Sequence, residues 1–137
     1  MATARKRLTA LLLAPLLVIA LAAAAVLTDP EPIDVPDGLA PKAIDKAIRL
    51  GALQRGWIIS ERAPGQLEAT LNIRSHQAKV AVEFDSERVV LRYLSSSNLD
   101  YAEKKGVRYI HANYEKWVRN LRQDIATQLQ MAQLQQH

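Results

Sequence analysis

The sequence predicts an α+β domain: a helix, a four-stranded antiparallel meander and a second helix, with both helices on one face of the sheet. Three observations lead there. Apolar residues recur at spacings of three and four in two stretches, Ile44 to Leu53 and Ile110 to Ile125. Between them, apolar and polar residues alternate in four short runs. The connections between those runs are too short for crossovers, so neighbouring runs must pair antiparallel. A sheet with one apolar face has to cover it, and the two helices are the only cover the sequence offers.

The N-terminus comes first in the chain. Arg5, Lys6 and Arg7 precede an apolar run, Leu8 to Leu27, that only Thr9 and Pro15 interrupt. A positive start, an apolar middle and a small-residue end read as a secretory signal over residues 1–25. Ala23 and Ala25 meet the small-x-small requirement and put cleavage before Val26. The same run also serves as an uncleaved anchor, since about 20 apolar residues span a bilayer core as a helix. Either way the positive flank stays inside and the domain faces outward. The expected location is the periplasm, free or anchored to the inner membrane. Residues 26–41 follow as a linker, with Pro30, Pro32, Pro36 and Pro41 among Asp29, Glu31, Asp34 and Asp37. The domain is expected over residues 42–127 and a glutamine-rich polar tail over 128–137.

Within the domain, Pro41 suits the first turn of a helix, and Arg55-Gly56 ends it. Trp57 to Ala63 is the first strand and Pro64-Gly65 its turn. Leu67, Ala69, Leu71 and Ile73 form the apolar side of the second strand. Ala78, Val80, Val82 and Phe84 form that of the third, and Val89, Leu91 and Tyr93 that of the fourth. Ser95 to Tyr109 is a long polar connection. Ile110, Tyr114, Trp117, Val118, Leu121 and Ile125 then make the core-facing stripe of the last helix.

Charge narrows the class of function. The net charge of +4 comes from 18 basic and 14 acidic residues, and three of the basic ones lie ahead of the apolar run. The remainder is nearly neutral and interleaved, which excludes a basic nucleic-acid-binding face. The chain has no cysteine. That removes disulfides, thiol chemistry and lipid attachment at a mature cysteine.

Three stretches together carry a resemblance: Gly56-Trp57 leading to Ala63-Pro64-Gly65, VVLRYLSSSNLDY from Val89 to Tyr101, and IHANYEKWVRNLRQDI from Ile110 to Ile125. They resemble a family of small, functionally uncharacterised bacterial envelope proteins, many of them lipoproteins. Members often carry a lipid-modified cysteine after the signal, where this chain has alanines. The resemblance covers about residues 51–126 and implies a compartment and a class, not an activity.

No glycine-rich phosphate loop and no pair of metal ligands at helical spacing occurs, so no cofactor, metal or catalytic residue is expected. His111, near the start of the last helix, is the one residue on which a small periplasmic hydrolase could be built, with a serine or carboxylate as partner. Its plainer role is capping or packing. Ser95, Ser96 and Ser97 lack the glycines of a nucleophile elbow. Trp57, Trp117, Tyr93 and Tyr114 fall at core periodicity. Tyr101 and Tyr109 fall outside it, in a polar stretch long enough to suggest function. With Asn98, His111 and Asn113 they make the expected binding surface. The expectation is a non-catalytic envelope module that binds a protein, peptide or small ligand. Nucleic acid is excluded, and the membrane is touched only through an uncleaved N-terminal segment.

Overall fold

A computed structural model describes residues 24–136 of the chain. The expected signal or anchor therefore lies almost wholly outside the described residues. The fold is α+β, and the described residues form two helices and eight strands in two antiparallel sheets. In chain order these are β1 (Ala24–Val26), β2 (Ile33–Asp34), α1 (Pro41–Leu53), β3 (Ile58–Ala63), β4 (Gln66–Ile73), β5 (His76–Phe84), β6 (Arg88–Ser97), β7 (Ala102–Lys104), β8 (Val107–His111) and α2 (Ala112–Gln135). No helix among the described residues is long and apolar enough to cross a membrane.

The larger sheet has the order β2-β6-β5-β4-β3. Its hairpins follow local chemistry. Pro64-Gly65 joins β3 to β4, with Gly65 at φ 74, a left-handed conformation that glycine adopts without steric penalty. Between β5 and β6, the Asp85 carboxylate accepts the N–H groups of Glu87 and Arg88 at 2.8 and 2.9 Å. Those bonds hold its carboxyl below the usual carboxylate range. One residue, Leu94, is left over where Lys79 faces Ser95 but Val80 faces Tyr93. This bulge returns Ser96 to the side of Tyr93, and the two hydroxyls bond at 2.8 Å.

Across the sheet Leu67, Val82 and Leu91 lie opposite one another, and all are buried. They share one hydrophobic cluster with Ile44 and Ile48 of α1 and Leu121 and Ile125 of α2. The helices meet at Gly51, where an added Cβ would stand 2.8 Å from the backbone of Ile125. That approach is closer than any other residue type allows.

Four expectations are corrected. The stretch 26–41 is extended but is not a spacer. Leu27, Ile33, Val35 and Leu39 are buried, and Ile33–Asp34 adds a fifth strand against Val89 and Arg88. Four apolar side chains spaced among prolines and acids suffice to fasten it. The connection Ser95 to Tyr109 is not a loop. β6 runs on to Ser97, and β7 and β8 form a hairpin around Lys105-Gly106, both at positive φ, as a two-residue turn requires. β8 also pairs with β1. Ile110 therefore belongs to a strand, not to the last helix. Finally, that helix continues through Gln135 because Leu129, one turn beyond Ile125, is 1% exposed.

Candidate functional site

The residues expected to form one binding surface divide into three groups. Asn98 sits apart, in the left-handed region at φ 57. Its side-chain amide donates to Ser75 Oγ at 2.7 Å, and its backbone carbonyl lies 2.6 Å from His76 Nδ1. It clasps the end of β6 to the β4–β5 turn through one side-chain and one backbone contact. His111 and Asn113 form the cap of α2. His111 Nδ1 accepts the Asn113 N–H at 3.1 Å, and the His111 N–H donates to the Leu99 carbonyl at 2.8 Å. This satisfies one of the free N–H groups of the helix start and spends one ring nitrogen on structure. The serines invoked for a hydrolase lie on β6, where Ser96 is bonded to Tyr93.

Tyr101 and Tyr109 remain near each other. Ala102 pairs with Tyr109, so Tyr101 precedes the hairpin register by one residue. The Tyr101 ring, 40% exposed, stacks on Tyr93 with centroids 5.0 Å apart and planes 7° apart. Tyr93 meets the buried Tyr114 edge to face at 5.5 Å. Three rings thus lead from the surface to the core. Burial pushes the phenol of Tyr114 far above its usual range and that of Tyr93 upward as well.

The segment Thr28 to Glu31 crosses beside these rings and is fixed at three points. Asp29 accepts the Tyr93 N–H at 2.9 Å and stands 3.8 Å from Arg108. The Arg122 guanidinium donates to the carbonyls of Glu31 and Pro32 at 2.7 and 3.0 Å. Between this strap and α2 lies a groove of 470 Å³, walled by Asp29, Tyr114, Glu115, Val118, Arg119 and Arg122. It offers an apolar floor with charges of both signs at its rim. Sequence reasoning missed Asp29, Arg108 and Arg122. The available signal was an alternating stretch, Ile33-Asp34-Val35, hidden among prolines.

Another cleft, of 610 Å³, opens between the start of α1 and the turns at Pro64 and Asp85. Three of its four charged side chains, all but Lys42, are already engaged. Asp45 bonds Arg49 at 2.8 Å, Arg49 stands 3.8 Å from Glu61, and Asp85 holds its own turn. Among the described residues no three histidine, cysteine or acidic side chains gather as metal ligands would.

Fold and site together define an α+β domain with a stacked, exposed tyrosine at its surface and a groove between the strap and α2. The chain matches no protein-family model, no curated protein and no solved structure.

Proposed function

We propose that the chain is an exported, non-catalytic interaction module of the bacterial cell envelope, binding a protein, peptide or small ligand through the face around Tyr101. Export rests on the positive start and the apolar run of the sequence, and the envelope on the resemblance carried by its three motifs. The observation that carries the binding face is Tyr101 itself. It is held flat on Tyr93 at the surface, pre-ordered, with an apolar ring and a hydroxyl both presented to a partner.

The reading includes a division of labour in the sheet. Both helices cover one side of the β3–β6 meander, and the other side is left to solvent. In support, the inward residues share a single buried cluster with the helices. The outward Glu68, Lys79, Glu83 and Arg92 pair with one another across the strands instead.

A photo-crosslinking aromatic residue placed at Tyr101 in cells tests the proposal. The expected result is a discrete adduct in the envelope fraction, absent when the same residue replaces Ser60 on β3. A folded, exported protein that gives no adduct from position 101 overturns it.

A further inference from the structure

The chain's two tryptophans line one slot. Trp57, Leu71, Ile73 and Trp117 make its walls, with Arg55 and Lys116 at the mouth and a volume of 290 Å³. Trp117 was expected in the core stripe of the last helix. It is only partly buried, packed against the cluster on one side and facing the slot on the other. His76 stands against it with ring centroids 6.3 Å apart.

The backbone beside the slot is also incomplete. β3 pairs with β4 only as far as Ile58 opposite Thr70. β4 continues to Ile73, so Leu71, Asn72 and Ile73 have a strand partner on the β5 side and none on the β3 side. An open strand end beside an apolar slot is the arrangement that takes an extended peptide. The peptide's main chain continues the sheet while alternate side chains enter pockets.

Charge selects the peptide. Lys116 is exposed at the mouth, and Arg74 is exposed in the turn directly after Ile73. Among the described residues neither forms an ion pair. Arg55 is engaged by Asp124 at 2.7 Å. We propose that this slot binds an acidic peptide segment in extended conformation, which adds to β4 beyond the end of β3 and lodges one apolar side chain between Trp57 and Trp117. The site is separate from the Tyr101 face and stands or falls independently of it.

The test uses a capped six-residue peptide alternating glutamate with valine or leucine, titrated into the purified protein. Because both tryptophans border the slot, their emission should shift on binding, and amide exchange should slow at those of Leu71, Asn72 and Ile73 whose N–H groups point away from β5. Replacing the glutamates by lysines should weaken binding at least tenfold. So should the double variant Lys116→Glu, Arg74→Glu, whose exposed positions leave the melting temperature unchanged. Methylating the amides of alternate residues should abolish binding in one of its two phases. Unchanged emission at millimolar peptide overturns the proposal. So does equal binding of the lysine peptide, or indifference to methylation in both phases.

Discussion

At the scale of single residues, the most constrained positions are those where sequence gives the weakest signal. Gly51 lies inside a helix, where glycine is normally unfavourable by about 1 kcal/mol relative to alanine. Its value lies in the contact with Ile125 of the other helix. Gly51→Ala should therefore destabilise, by about 1–3 kcal/mol, against the propensity gain; thermal melting checks the sign. Asn98 looked like a recognition residue because it sits in a polar stretch. The structure spends it on Ser75 and His76. Asn98→Ala should cost about 1–2 kcal/mol through the left-handed backbone and the lost bond, whereas Asn98→Gly should cost less because it keeps the conformation. Urea unfolding of the two variants separates these contributions. Tyr101→Ala should lose only about 1 kcal/mol, the worth of one aromatic pair near the surface. A larger loss in the same urea experiment would make Tyr101 a structural residue.

At the scale of elements, long periodic segments were legible and short ones were not. Helix α1 and strands β3, β4 and β5 lie within a residue or two of where the sequence pattern put them: α1, β4 and β5 each bury several side chains on one side, and the Pro64-Gly65 turn places β3, which buries none. β7 has three residues and β2 two, too few for any periodicity to emerge. Their pairing is decided by partners far along the chain. The same explanation covers the candidate surface. Tyr101 and Tyr109 were found from local polarity, but Asp29, Arg108 and Arg122 come together only through the fold. Two element-level outcomes follow. Deleting the residues after Gln128 removes the buried Leu129, and a lost leucine side chain costs about 2–5 kcal/mol, so the melting temperature should drop sharply. Arg122→Met should release the strap at Glu31 and Pro32, seen as faster proteolysis between Asp29 and Asp37 with little change in global melting.

At the scale of the whole molecule, the buried tyrosine sets a limit on the alkaline side. Tyr114 keeps its proton in the folded state far above the value of about 10 that an unfolded tyrosine shows. Its folded pKa is raised, so its contribution is complete below about pH 10 and declines as pH rises further, by about 1.4 kcal/mol per unit. Denaturant midpoints measured from pH 8 to 12 should be flat and then fall, and Tyr114→Phe should flatten the fall.

Strand β1 has a consequence for how the molecule comes into being. Ala24, Ala25 and Val26 lie at the end of the apolar run, yet their partners are His111, Ile110 and Tyr109, in the last quarter of the chain. The first strand thus waits for nearly the last. Closing so long a loop is entropically expensive and contributes to slow folding. While the ribosome is still adding residues before Val107, the smaller sheet has no centre and the strap has no Arg108 to hold Asp29. During that interval the N-terminal part of the polypeptide is unable to close and remains threadable. Any process that needs residues 24–39 extended has that interval in which to act.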